Sequence, residues 1–286
     1  MEEQQFVSQV PVDILDIPRS PTISVVIPAR NEAQNLRHVL PLIPTSVSEV
    51  ILVDGHSSDD TIEEALRLMP SIRVIKQSGK GKGDALRAGF AACTGDIIVM
   101  LDADGSADPA EIPQFVKALE QGYDFAKGSR FLAGGGSVDI THLRRWGNAL
   151  LSTFVNVLFG TEFSDLCYGY NAFWKYCLNR VIVDCEGFEV ETQLNLRMHE
   201  TKMKIVEVPS FEHARIHGES NLHAARDGWR VLQTILREWS QKRKTTSTKP
   251  VVMQTYQKDM QNATNLSYSF FNFDINIQIS VRKKAI

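Results

Sequence analysis

Asp102 and Asp104 stand one residue apart at the end of a run that reads Ile97, Ile98, Val99, Met100, Leu101. The run is apolar and rich in β-branched residues, which suits a strand buried on both faces of a sheet. Residues i and i+2 of a strand project to the same side. The two carboxylates can therefore aim at one point beyond the sheet edge and hold a hard divalent cation. The same Asp-Ala-Asp-Gly stretch also fits a solvated turn, so its surroundings decide. Gly79, Lys80, Gly81, Lys82 and Gly83 form a basic glycine-rich stretch that matches neither the phosphate-loop nor the dinucleotide fingerprint. Such a loop at a helix start can meet a diphosphate through Lys80 or Lys82 and the helix N-terminus. Most such loops are surface linkers. Paired with a metal-binding Asp-x-Asp, it suggests a nucleotide-diphosphate donor, whose departing charge cation and lysine would neutralise.

Further segments place polar residues at the same rim. Ile23 to Ile27 reads as a buried strand expected to stop at Pro28, and Asn31 suits the cap of a helix carrying Leu36, Val39 and Leu40 on one face. Val50 to Val53 is a second strand, ending at Asp54. The next helix carries Ile62, Ala65, Leu66 and Met69, and Ile72 to Ile75 is a third strand. The glycine-rich stretch opens a helix through Ala85, Leu86 and Phe90. Asp108, Pro109 and Glu111 give a capped helix start, and Tyr123 to Lys127 reads as another strand. Strands alternating with helices predict an α/β fold with a mostly parallel central sheet flanked by helices. Ligands of such sheets sit beyond the carboxyl ends of the strands. Asp54, Lys82, Asp102, Asp104 and Arg130 all fall at or near those ends.

The chain has 286 residues, 43% hydrophobic and 23% charged, enough for a real core. Residues 1–20 read as a lead-in, 21–240 as the working domain, and 241–286 as a polar appendage rich in Lys, Thr, Ser, Gln and Asn. A formal net charge of −3 gives no general attraction to nucleic acid. Four cysteines without CxxC spacing predict reduced thiols. His213 and His217 fall in a loop and make a poor zinc site. The opening Met-Glu-Glu-Gln-Gln lacks the pattern of a signal peptide, and no run approaches the ~18 apolar residues of a membrane span. The expectation is a cytoplasmic protein, peripheral at the cytoplasmic membrane face.

Ser24 to Glu32 (Ser-Val-Val-Ile-Pro-Ala-Arg-Asn-Glu), Val53-Asp54-Gly55, Gly81-Lys82-Gly83 and Leu101 to Asp104 together resemble the inverting nucleotide-sugar glycosyltransferases of the GT-A fold. Gly128 to Phe131, Asp165 with Gly169, and Arg215 to Ser220 narrow the likeness to the polyprenyl-phosphate (dolichyl-phosphate-type) mannosyl- and glucosyltransferases. It covers Thr22 to Trp239. The resemblance implies that Pro28, Arg30 and Glu32 line a nucleoside pocket and that Asp54 contacts the base or ribose. It places Lys82 near the donor phosphates and has Asp102 and Asp104 bracket Mg2+ or Mn2+. Arg130, with Arg144 or Arg145, would face the acceptor, and Asp165 would sit beside the sugar. Arg215 and Ser220 would belong to a mobile segment that closes on the diphosphate. Gly105 and Ser106 depart from the subgroup's pattern, which leaves the third protein ligand of the metal open.

His142 to Gly160 is amphipathic, with Leu143, Trp146, Leu150, Phe154, Val157 and Leu158 at helical spacing and Arg144 and Arg145 near its start. A membrane-surface helix and an ordinary core helix fit this pattern equally. The aromatic run Tyr168 to Trp174 is expected to pack beneath the site. Glu189 and Glu191 straddle a helix start, where the family often sets a carboxylate against a site arginine. A lipid phosphate is already anionic and attacks without a strong base if arginines hold it. A hydroxyl needs a carboxylate to take its proton. Arg130, Arg144 and Arg145 favour the phosphate, while Asp165 keeps the hydroxyl open. The expected activity is transfer of a hexose from GDP-mannose or UDP-glucose to polyprenyl phosphate, in one inverting displacement. The alternative keeps the donor and takes a sugar hydroxyl, as in cell-surface polysaccharide assembly. A nucleotide-sugar-binding protein without catalysis is a third reading, against which intact Asp102, Asp104, Lys82 and Arg215 count.

Overall fold

Val25 and Ile27 face one apolar layer while Val26, between them, faces another, and all three are fully buried. This alternation marks β1 (Ile23–Ala29) as a strand covered on both sides. The computed structural model describes residues 20–218 and 222–245. The expected lead-in, Ser220 and the appendage beyond Thr245 lie outside the described residues.

After β1 the chain runs through α1 (Ala33–Val39), β2 (Glu49–Asp54), α2 (Thr61–Leu68), β3 (Arg73–Lys76), α3 (Gly81–Ala92) and β4 (Ile97–Met100). Then come α4 (Ile112–Glu120), β5 (Phe125–Ser129), β6 (Gly136–Ser137), α5 (His142–Phe159) and β7 (Asn171–Trp174). The last elements are α6 (Val190–Glu200), β8 (Ile205–Pro209), β9 (Phe211–Glu212) and α7 (Ala224–Thr245). Seven strands form one sheet in the order β3-β2-β1-β4-β7-β5-β8, and β6 pairs with β9 in a small ribbon. Only β7 runs antiparallel to its neighbours in the large sheet. The expected α/β architecture with a mostly parallel sheet is therefore present.

One layer packs Leu36 and Val39 of α1 and Phe115 and Leu119 of α4 against Ile27, Leu52 and Val99. The other packs Leu86 and Phe90 of α3 and Leu194 and Met198 of α6 against Val26, Ile51 and Ile98. Each such side chain contributes about 1.5–3 kcal/mol by leaving water. A third cluster joins Val155 and Phe159 of α5 to Val231 and Ile235 of α7. Gly89 lets α3 approach β1: a Cβ there would lie 2.3 Å from Val26 Cγ1.

Two local expectations change. β1 continues through Pro28, in register with Val53, because β4 ends opposite Val26 and leaves the proline's other edge open. Asn31 does not cap α1. It takes the left-handed region (φ 58°) and its Oδ1 accepts from Ser58 N at 2.7 Å, tying the loop after β1 to the loop after β2. Asp108 caps as expected, accepting from Ala110 N at 2.9 Å, though the first turn is 3-10 before α4 begins.

Candidate active site

Parallel strands β1, β2 and β4 point their carboxyl ends to the same side of the sheet, and a cleft of about 1310 Å3 opens beyond β1 and β4. Pro28, Arg30, Glu32, Lys82, Asp102, Asp104, Arg130, Arg144 and Arg215 all line it. Of the residues expected at the strand ends, Lys82, Asp102, Asp104 and Arg130 are here and Asp54 is not; the others are ones the family resemblance implied.

On the cleft floor, charges meet in two linked groups. Lys82 Nζ lies 2.6 Å from Asp102 Oδ1 and 2.7 Å from Glu191 Oε1. Burial favours the neutral amine, but the two carboxylates outweigh it and hold the ammonium above the ordinary lysine range. Burial raises the Glu191 carboxyl, Lys82 lowers it and Asp102 raises it again, leaving it above the usual range. Arg215 forms the second group, with Nη1 3.0 Å from Glu32 Oε1 and Nη2 3.2 Å from Asp104 Oδ2. Burial pushes Glu32 up, against the hydrogen bonds of Asn35 and Arg215. Four carboxylates thus face two cations.

Local backbone explains the placement. Gly81 (φ +86°) and Gly83 sit against the Cys185–Glu186 backbone, where a Cβ would lie 2.3 Å and 2.1 Å from carbonyl oxygens. Gly83 N donates to Glu186 O at 2.8 Å. The glycines therefore serve close packing of α3, and that N–H is taken; the loop's contribution to the cleft is its lysines, with Lys80 exposed on the wall. Ser106 holds Asp104 Oδ1 through its N (3.0 Å) and Oγ (2.7 Å), leaving Oδ2 to Arg215. Gly105 (φ +77°) makes room for Ile216, whose Cδ1 would lie 2.8 Å from a Cβ there. The residues that depart from the subgroup's pattern thus fix one carboxylate and seat the Arg215 segment. Asn35 pins that segment, its Oδ1 accepting from His217 N at 2.9 Å and its Nδ2 donating to His217 O at 3.1 Å.

Other expected residues stand differently. Asp54 is buried and accepts from Ser57 N at 3.2 Å; the cleft wall beside it is Gly55 and His56. Arg130 borders the cleft, but its guanidinium is committed to Asp165 and to Glu212, with Nη1 3.0 Å from Glu212 Oε2. Phosphate binding by Arg130 would require one of them to let go. Asp165 is fully buried; burial would raise its pKa, but Arg130 outweighs that and holds it below the usual range. Arg144 pairs with Asp139 at 3.3 Å, and Arg145 lies over the Phe131 ring at 5.4 Å. Tyr168 and Tyr170 are buried beneath the site, as expected, with the Arg130 guanidinium 4.8 Å over the Tyr168 ring.

Sequence reasoning missed Glu191 as a partner of Lys82 and Glu212 as a partner of Arg130. A signal existed for the first: α6 is polar in sequence yet buries Glu191, Thr192, Gln193 and Asn195, without the periodicity of a solvated helix. Glu212 carried none.

Parallel strands leading to an acidic pair beside a lysine and an arginine fit the class of GT-A glycosyltransferases, and comparison with known proteins places the chain in that class. The chain belongs to glycosyl transferase family 2, whose model matches residues 24–182. Among curated relatives, "Glycosyltransferase AglJ" of Haloferax volcanii is 28% identical, over 77% of this chain and 73% of that one. The dolichol-phosphate mannosyltransferase of Pyrococcus furiosus is 30% identical, over 70% of this chain and 59% of that one. Glucosyl-3-phosphoglycerate synthase of Mycobacterium tuberculosis, solved with Mn2+, uridine diphosphate and phosphoglyceric acid, shares the fold. Its TM-score is 0.62, at 24% identity, over 77% of this chain and 78% of that one.

The donor set at Asp102 and Asp104 fits a hard divalent cation, since it offers oxygen alone and both side chains border open space. Among the described residues no three His, Cys, Asp or Glu converge as a metal cage. A magnesium-like ion, held by one or two carboxylates and completed by substrate phosphates, needs none.

Proposed function

We propose that this chain moves a hexose from a nucleotide-diphosphate sugar, GDP-mannose or UDP-glucose, to a polyprenyl phosphate. The observation that carries the choice of acceptor is the state of Asp165. It is fully buried with both carboxylate oxygens on Arg130, so the base expected for a hydroxyl acceptor is not free. A phosphate acceptor needs no base.

In this reading Pro28, Arg30 and Glu32 flank the nucleoside, and Lys82 and Arg215 meet the diphosphate. Mn2+ or Mg2+ held by Asp102 and Asp104 would supply neutralisation of the leaving group's charge. Arg144, and Arg145 beside it, hold the acceptor phosphate. An oxygen of that phosphate bonds to the anomeric carbon as the bond to the diphosphate breaks. The electron pair leaves with the nucleoside diphosphate, no proton moves, and the anomeric centre inverts.

Contact with a membrane surface belongs to this proposal. α5 presents Leu143, Trp146, Leu150 and Val157 outward at 72–77% exposure, while its buried face includes Asn148 and Ser152. Both Arg144 and Leu143 line the cleft, so the apolar face begins at its mouth. No helix among the described residues is long and apolar enough to cross a membrane.

The test is a panel of nucleotide sugars offered with polyprenyl phosphate and Mn2+, scored for lipid-soluble sugar. Donors with an α-linked sugar should yield the β-linked phospho-sugar. An α-linked product, or transfer to sugar hydroxyls alone, overturns the reading.

A further inference from the structure

Lys82 shares its ammonium between two carboxylates that differ in what else they can do. Asp102 borders the open cleft and has one-third of its side chain exposed (34%), whereas Glu191 is buried at 6% in the first turn of α6. Gly169 closes the space around them. A Cβ on Gly169 would lie 2.8 Å from Lys82 Nζ, 2.9 Å from Glu191 Oε1 and 3.2 Å from Asp102 Oδ2. Glu191 thus gives Lys82 a buried partner, while Asp102 also faces the open cleft.

From this geometry we infer that Glu191 is a positioning residue: it holds the Lys82 ammonium over the diphosphate subsite and relieves Asp102 of it, with Gly169 shaping the space for the pair. The inference rests on the donor reading proposed above. Without the Glu191 charge, Asp102 becomes the lysine's remaining carboxylate. The two then neutralise each other, and both are drawn away from the diphosphate. Because Glu191 acts through Lys82, its loss matters only while Lys82 is present.

The experiment is a double-mutant cycle read by binding. UDP and GDP, each with Mn2+, are titrated calorimetrically into the full-length chain, into E191Q and K82M, and into the double variant. E191Q keeps the side chain's size, and K82M keeps the apolar stem. E191Q should weaken binding of whichever nucleotide the wild type takes by about tenfold, the loss of one charge-assisted contact. In the K82M background the same change should add less than about twofold. G169A, which drives a methyl group between the charges, should follow the same pattern and carries the cycle if E191Q fails to fold. Losses that multiply, or an E191Q affinity equal to wild type, overturn the positioning role alone. Wild-type chain that binds neither nucleotide overturns the donor reading, and this inference with it.

Discussion

Arg130 and Asp165 form a buried, two-pronged pair, with Nε to Oδ2 at 2.7 Å and Nη2 to Oδ1 at 3.0 Å. Lys127, fully buried, approaches Glu207 at 3.6 Å, and Glu207 in turn accepts from Ser164 Oγ at 2.6 Å. The chain leading into Asp165 is thus held by a charged partner, and Leu166 after it donates to Asn148 Oδ1 at 3.1 Å. Breaking a buried pair costs about 3–5 kcal/mol when the charge left behind is uncompensated, and Glu212, 3.0 Å from Arg130 Nη1, holds the loss to the lower end of that range. Asp165→Ala should lower stability by that amount in urea denaturation. A variant as stable as the wild type, with turnover alone lost, would restore Asp165 as a catalytic base.

Asp104 presents the opposite case. It borders the cleft with its side chain 20% exposed, its Oδ2 facing Arg215 at 3.2 Å and its Oδ1 accepting from the buried Ser106. The pair is partly open to the cleft and Arg215 keeps Glu32 as a partner when Asp104 is removed, so the loss should stay near about 1 kcal/mol. Asp104→Ala should therefore melt within a few degrees of the wild type yet lose about 100-fold or more in transfer rate, as expected for removing a group that supports transition-state charge. An active Asp104→Ala enzyme would remove the case for a metal at this pair.

Glu49 supplies a pH dependence away from the cleft. Burial raises its pKa, but hydrogen bonds from Ser24 and Thr94, with Arg73, outweigh that and hold the carboxyl at about 2 against an ordinary 4.5. Ser24 Oγ lies 2.6 Å and Arg73 Nη1 2.8 Å from it. The folded state therefore binds this proton more weakly than the unfolded chain. The group's stabilisation is complete above about pH 4.5 and is lost as pH falls toward about 2. Glu49→Gln should flatten the acid arm of a stability-versus-pH curve in that window, measured by urea midpoints. An unchanged slope would show that Glu49 is not tied down as described.

The parallel strands were legible because a strand covered on both faces must be apolar at every position, as Ile97 to Leu101 is. The acidic pair was legible as carboxylates following an apolar strand, but not through a strand's two-residue repeat: β4 ends at Met100, and Asp102 and Asp104 lie in the turn beyond it. β7 was not, because Asn171 to Trp174 reads as an aromatic patch and its antiparallel pairing with β4 and β5 depends on distant partners. The pairings of Lys82 with Glu191 and of Arg130 with Glu212 span wide separations; the polar composition of α6 hinted at a buried role for Glu191 without naming its partner, and nothing local pointed to Glu212. The glycines at 81 and 83 misled for a related reason: flexibility and close approach demand the same residue. For α5, periodicity gave the stripe but not its facing: Leu143, Trp146, Leu150 and Val157 turn outward, while Phe154 and Leu158 pack against the third cluster.

That stripe gives the last prediction. Leu143, Trp146 and Leu150 recur on one face of α5, and each is 72% exposed or more. Such a contiguous apolar face marks a surface of contact. Arg144 and Arg145 at its start add attraction to anionic head groups, and Trp146 suits the interface, where a ring can be half wet. Because these side chains leave the core untouched, replacing Leu143, Trp146 and Leu150 together by Ser should keep the melting temperature. The same change should sharply reduce cosedimentation with anionic vesicles and raise KM for a long-chain polyprenyl phosphate more than for a short water-soluble one. Unchanged vesicle binding, or an equal effect on both acceptors, would remove the membrane from the account; a shift from dimer to monomer in the triple variant would assign the face to a second copy instead.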